Sequence, residues 1–146
     1  MSALLLDVNV LVALFDPAHL HHEAAHKWFA RRGKASWATC PLTINGCLRV
    51  LFRIAAITAP TPVSNIADQL RDFLMLPGRI DFSSQLELTD TEQFDLTKLR
   101  GPNQLTNAVL LAIAVQNRAK LLTFDRNIPW QAVRAASRES IHLLSA

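Results

Sequence analysis

Long apolar runs are missing from this chain of 146 residues. The longest stretch without a polar residue, Ala108 to Val115, covers eight positions, against the roughly 20 that a membrane-spanning helix needs. No membrane partner is expected. No basic segment precedes the first apolar run, so no secretory signal is expected either, and the reading is a cytoplasmic protein. Cysteine is scarce: Cys40 and Cys47 are the only two, and their C-x6-C spacing fits neither a zinc site nor a redox motif. Cys47 reads as a small core residue of an amphipathic helix. Charged residues make up 18% of the chain and form no dense run, while half of the residues are hydrophobic; that balance excludes extensive disorder. A net charge of +3 and a pI near 9.3 permit a nucleic-acid partner without requiring one. Internal repeats, linkers and low-complexity segments are also lacking. Residues 1–146 are therefore read as a single domain, large enough to bury roughly two thirds of its unfolded surface.

What is present starts at the N-terminus. Ala3-Leu4-Leu5-Leu6 is a brief apolar run that ends in Asp7-Val8-Asn9, the pattern of a strand covered on both faces with a carboxylate at its C-terminal tip. Parallel α/β sheets place ligands outside the carboxyl ends of their strands. A near copy returns where Leu121-Leu122-Thr123-Phe124 runs into Asp125-Arg126-Asn127. Two strand-tip aspartates invite one shared site. Such a pair suits a hard divalent cation, although a strand-tip Asp also serves as a helix cap or turn former.

Between these tips, helices and short strands alternate. Asn9 is expected to cap a helix through Phe15, broken by Asp16-Pro17. His19–Arg32 is helical in pattern and ends at Gly33, and Ala35–Ala38 is a second strand. A helix over Leu42–Ala56 carries Leu48, Leu51, Phe52 and Ala55 on one side, with Arg49 and Arg53 pointing elsewhere together. Ser64 caps a helix to about Leu76, and Arg79–Phe82 is a third strand. Thr89 with Glu92 predicts a capped helix to about Leu99. The most apolar helix runs from about Leu105 to Asn117, a short helix covers Ala132–Ala136, and Ser140–Leu144 is the last strand. This alternation implies an α/β fold with a mostly parallel sheet and helices on both faces.

Other signals compete with the aspartate pair. His22-Glu23-Ala24-Ala25-His26 fits H-E-x-x-H, with two imidazoles on one helical face as in zinc proteases, and His19 or His21 offers a third ligand. The bland reading is a polar surface face. Trp28, Trp37 and Trp130 sit on different elements and read as packing residues rather than base-stacking platforms.

Five blocks together resemble the PIN-domain family, and within it the VapC-type ribonuclease toxins of bacterial toxin–antitoxin pairs. They are Leu5-Leu6-Asp7-Val8-Asn9-Val10-Leu11-Val12, Trp37-Ala38-Thr39-Cys40-Pro41-Leu42-Thr43, Gly46 with Leu48-Arg49-Val50, Leu105-Thr106, and Leu122-Thr123-Phe124-Asp125-Arg126. The resemblance implies a three-layer α/β/α fold whose five-stranded sheet has the order 3-2-1-4-5. It further implies acidic residues at the strand ends that hold Mg²⁺ or Mn²⁺ and cut RNA, a small VapB-like antitoxin partner, and a homodimer. Phe15, Trp28, Phe29, Leu48 and Phe52 are the candidates to line the antitoxin groove. Arg49, Arg53 and Arg126 are the candidates to meet RNA.

Carried over by residue, Asp7 fits the family's first acid and Asp125 its fourth. The second belongs directly before Asn45-Gly46, where this chain has Ile44; the third belongs after Leu105-Thr106, where it has Asn107. Asn107 retains a carbonyl oxygen able to ligate, whereas Ile44 loses charge and polarity together. The formal charge of the site drops from about −4 to about −2, enough for one divalent ion and too little for a two-metal clamp. Metal would rest on Asp7, Asp125 and Asn107, with Asn9 and Thr123 orienting the carboxylates. Asn107, in the first turn of its expected helix, would also sit among free amides that favour phosphate. The expectation is a ribonuclease with weakened or lost catalysis; a PIN-like protein that only binds RNA or an antitoxin is the non-enzyme alternative.

Overall fold

The computed structural model describes residues 3–32 and 36–145. Its elements run β1 (Leu4–Leu6), α1 (Val8–Phe15), α2 (His22–Arg32), β2 (Trp37–Thr39), α3 (Pro41–Thr58), α4 (Val63–Leu74), β3 (Arg79–Asp81), α5 (Asn103–Gln116), β4 (Lys120–Thr123) and β5 (Ile141–Leu143). Single 3₁₀ turns cover Leu96–Lys98, Trp130–Ala132 and Arg138–Ser140. The five strands pair in parallel in the order β3-β2-β1-β4-β5, the expected architecture. The proposed end of α2 at Gly33 and the start of β2 at Ala35 lie outside the described residues.

Alternation along the strands builds the layers. Successive side chains of a strand point to opposite faces. Leu5, Ala38 and Leu121 pack on one side with α5, while Leu4, Leu6, Trp37 and Leu122 pack on the other with α1 and residues of α2, α3 and α4. With both faces covered, β1 is wholly buried, which accounts for its unbroken leucines. An aromatic cluster ties α1, α2 and α4 to β2: Phe73 lies 5.2 Å from Phe15, 5.3 Å from Phe29 and 5.1 Å from Trp37.

Several expected boundaries move for local reasons. Asp7, not Asn9, caps α1, because its Oδ1 accepts the Val8 N–H at 2.7 Å. Pro62 stands at the start of α4, so Ser64 lies inside that helix. The helix expected from Thr89 to Leu99 does not form. Asp90 Oδ1 accepts the Glu92 N–H at 2.9 Å, a local turn that competes with a helix. Phe94 is then drawn into the core and makes an isolated antiparallel bridge to Val133. Only the 3₁₀ turn capped by Asp95 remains of it. The helix expected at Ala132–Ala136 is likewise a 3₁₀ turn, two residues earlier at Trp130–Ala132.

α3 has 18 residues and a mean hydropathy of 1.2, long and apolar enough by composition alone to cross a membrane. Here it is one wall of the domain, packed on α1, with Arg49 and Arg53 in its middle. Gly46 permits that packing: a Cβ there would meet Val8 Cγ2 at 2.9 Å.

Candidate active site

The parallel pairing of β1 with β4, with Leu6 opposite Leu122, sets Asp7 and Thr123 side by side at the sheet's carboxyl edge. The Asp7 N–H donates to Leu122 O at 3.0 Å and so extends the ladder by one residue. Asp7 is buried at 3% exposure, and both of its carboxylate oxygens are engaged: Oδ1 with the Val8 N–H and Oδ2 with the Thr123 hydroxyl at 2.6 Å. Thr123 Oγ1 also accepts the Asp125 N–H at 3.0 Å. One hydroxyl thus spans the two acidic residues. Asp125 Oδ1 accepts the Asn127 N–H at 2.8 Å, and its Oδ2 accepts Asn107 Nδ2–H at 3.2 Å.

Burial pushes the Asp7 carboxyl above its ordinary value; hydrogen bonds from Thr123 and Val8 pull it back, and the negative charge of Asp125 raises it further. The repulsion is itself informative. A second carboxylate beside a buried one raises the cost of ionising it, a cost that a bound cation would offset.

Asp7, Val8, Asn9, Asn45, Arg49, Asn107 and Asp125 line an open cleft of about 820 Å³, walled by α3 on one side and by the N-terminal turns of α5 on the other. Its donor set is all oxygen, the class that Mg²⁺ and Mn²⁺ take. Among the described residues no group of three or more His, Cys, Asp or Glu converges for a metal, so the two aspartates stand as a pair. They suit one divalent ion, with Asn107 able to offer its carbonyl oxygen if its amide turns.

The remaining expectations separate. Ile44 does not line the cleft; it is half-buried against the core around α1. Asn45, one residue on, faces the opening instead. Arg49 lines the cleft, but Arg53 is exposed outside it, and Arg126 lines a neighbouring pocket. α5 starts at Asn103, which makes Asn107 its fifth residue rather than part of its first turn. The Gln104 and Leu105 amides already bond Gly101 O and Pro102 O, at 3.1 and 3.2 Å. The phosphate-binding amides expected at Asn107 are therefore absent.

H-E-x-x-H has a structural use. His22 Nδ1 bonds Ala13 O and His26 Nε2 bonds Leu14 O, each at 2.7 Å, which satisfies carbonyls at the C-terminal end of α1. Glu23 is exposed beside Lys27, and the His21 ring stacks on Phe124 at 4.2 Å. The motif clamps α2 to α1. Asn45, Asn103 and Thr106 complete the cleft wall. For Asn45 the signal in the sequence was its position four residues before Arg49, on the same helical face.

Residues 4–134 match the model of the PIN domain family. The chain belongs to the PIN domain family. This PIN domain is 34% identical over 140 residues to ribonuclease VapC44 of Mycobacterium tuberculosis, covering 96% of this chain and 98% of that protein. It is 32% identical over 121 residues to ribonuclease VapC39 of the same organism, covering 83% and 87%. In fold it is similar to the crystal structure of Mycobacterium tuberculosis VapC20, a sarcin–ricin-loop-cleaving toxin, with a TM-score of 0.60 at 12% identity over 92% of this chain and 98% of that one. PAE2754 from Pyrobaculum aerophilum is similar with a TM-score of 0.55 at 21% identity over 92% and 82%. These likenesses show a shared fold.

Proposed function

We propose that this PIN domain is a VapC-like endoribonuclease that hydrolyses RNA phosphodiesters with one Mg²⁺ or Mn²⁺ held by Asp7 and Asp125 with Asn107, and that it cuts more slowly than a four-acid site. The single observation that carries this reading is the placement of Asp7 and Asp125 in one cleft at the carboxyl edge of the sheet, in a chain whose curated relatives carry the name ribonuclease VapC. A divalent ion bound there would supply Lewis-acid stabilisation of the phosphodiester and a more acidic water. The chain's own residues do the rest. Thr123 orients the Asp7 carboxylate and holds the Asp125 backbone beside it, and Arg49 draws the RNA backbone toward the opening. Among the described residues no third carboxylate lines the cleft to take a proton from an attacking water, which is the reason to expect slow cleavage.

The reading extends to a VapB-like antitoxin, a homodimer and a cytoplasmic setting. The exposed apolar residues of α3, Phe52 at 44% and Ile57 at 81%, support a protein partner on that helix. Phe15 and Phe29 instead give their rings to the aromatic cluster around Phe73. A second reading, a non-cleaving binder of RNA or antitoxin, is favoured by the Asn107–Asp125 hydrogen bond, which occupies a ligand oxygen with an amide donor.

Cleavage of a labelled single-stranded RNA, followed in Mg²⁺, in Mn²⁺ and in EDTA, separates the two. The enzyme reading expects slow, metal-dependent cutting that Asp7→Ala and Asp125→Ala abolish. RNA binding without cutting in either metal establishes the binder.

A further inference from the structure

Beside the acidic cleft lies a second pocket of about 420 Å³ whose charged lining is wholly cationic: Lys98, Arg100 and Arg126, with Asn127, Gln131 and Gln104 adding amide groups. The Asp125–Arg126 peptide and the first turn of α5 divide the two openings. Asp125, Asn103 and Thr106 face the acidic side, and Arg126 and Gln104 face the basic one. The walls are held in place. Gln104 Oε1 accepts the Arg100 N–H at 2.7 Å, and the Asn127 N–H is fixed on Asp125. Among the described residues none of the three cations is ion-paired, although the exposed Asp95 feels Lys98 and Asp125 adjoins Arg126 in the chain. Three like charges converging without a paired carboxylate disfavour one another until an anion enters.

We propose that this pocket binds a backbone phosphate of the RNA strand, one or more nucleotides along from the phosphodiester presented to Asp7 and Asp125. The inference rests on the ribonuclease reading. A polymer with one phosphate in the acidic cleft carries the next across the α5 turn, and the basic pocket is the surface it meets there. The pocket takes a phosphate rather than a stacked base: Arg138 already lies over the Trp130 ring, 5.6 Å from its centroid, and Trp130 itself packs against the core. Arg126 thus belongs to the adjoining site and not to the metal cleft.

The test is binding of a fluorescein-labelled single-stranded RNA and of a labelled poly-glutamate peptide, each in EDTA over a range of salt concentrations. The proteins are the unmodified chain, Lys98→Gln/Arg100→Gln/Arg126→Gln, and a control with equal charge removal elsewhere, Arg31→Gln/Arg118→Gln/Lys120→Gln. The pocket variant is expected to lose RNA affinity by about tenfold or more and to lower the salt slope by about 2, while the control shifts far less. If the unmodified chain binds RNA and the pocket variant matches the control in affinity and slope, the pocket assignment is overturned and the ribonuclease reading stands. If only poly-glutamate binding falls, the pocket holds an acidic peptide and the RNA assignment is overturned. If the unmodified chain binds no RNA in EDTA, the pocket assignment is overturned, and the ribonuclease reading is decided separately by cleavage in Mg²⁺ and Mn²⁺.

Discussion

Thr123 Oγ1 stands 2.6 Å from Asp7 Oδ2 as donor and 3.0 Å from the Asp125 N–H as acceptor. A buried hydroxyl with these two partners fixes the relative position of the strand tips. Thr123→Val keeps the shape of the side chain and removes both bonds, leaving a carboxylate oxygen and an amide unsatisfied. The expected cost is about 2 kcal/mol, read as a lower urea midpoint with an unchanged slope. Metal-dependent cleavage should fall with it, through a weaker apparent metal affinity. An unchanged midpoint would mean that Val8 and the backbone alone hold Asp7.

Asp7 itself carries a pH signature. Its carboxyl is raised above the ordinary 3.8, chiefly by burial and against the hydrogen bonds from Thr123 and Val8. Between 3.8 and its folded value, the folded chain holds a proton that the unfolded chain has lost. Asp7 therefore contributes less stability as pH rises through that window, and its full cost is present above it. Asp7→Asn removes the titration, and its amide can still accept from Val8 and donate to Thr123. In EDTA the variant should be more stable than the unmodified chain at pH 7, with the advantage shrinking toward pH 4, and it should not cut RNA. A constant difference across that range would assign the effect to packing.

The two aspartates and the layered fold were legible in the sequence because their signals are local: an apolar run, a carboxylate at its end, and a helix period between. The expected loss of two acids was legible only as residue types. Its geometry was not, since which residues of α3 face the cleft, Asn45 and Arg49 rather than Ile44, is set by how closely α3 packs on α1 at Gly46. The H-E-x-x-H signal misled for a complementary reason. Nothing in five residues reveals that Ala13 O and Leu14 O wait 2.7 Å away. The basic pocket escaped notice because Lys98, Arg100 and Arg126 come from two separate segments. The capping pattern at Thr89 and Glu92 pointed to a helix to Leu99, where the Asp90 turn and the burial of Phe94 outweigh it.

Ile44→Glu with Asn107→Asp restores the acids that the resemblance assigns. If a missing base limits cleavage, the double variant should cut RNA about 10²-fold faster in Mg²⁺. Ile44 is half-buried against the core, so Ile44→Glu should also cost about 1–2 kcal/mol of stability. A double variant no faster than the unmodified chain would show that the acids are not the limit.

His22→Ala and His26→Ala each strip a partner from a carbonyl at the end of α1. Each should destabilise the fold by about 1 kcal/mol in urea. Added zinc should leave the melting temperature of the unmodified chain where it was, since a bound ion would raise it with concentration. A zinc-dependent rise lost in either variant would return the motif to metal binding.

The approach of α3 to α1 is the last constraint on the cleft, and it can be measured as a coupling. A Cβ on Gly46 would come within 2.9 Å of Val8 Cγ2, and a β-branched side chain in a helix has little freedom to turn aside. Gly46→Ala gains about 1 kcal/mol of helix propensity but overpacks this contact by about 1–3 kcal/mol. In a Val8→Ala background the overpacking is gone and only the propensity gain remains. A double-mutant cycle should therefore show the Gly46→Ala change stabilising in the Val8→Ala protein and neutral or destabilising in the unmodified one, with a coupling of at least about 1 kcal/mol. Cleavage should follow the same pattern, because a shift of α3 carries Asn45 and Arg49 away from Asp7. Additive effects on stability would place the demand for glycine somewhere other than the Val8 contact.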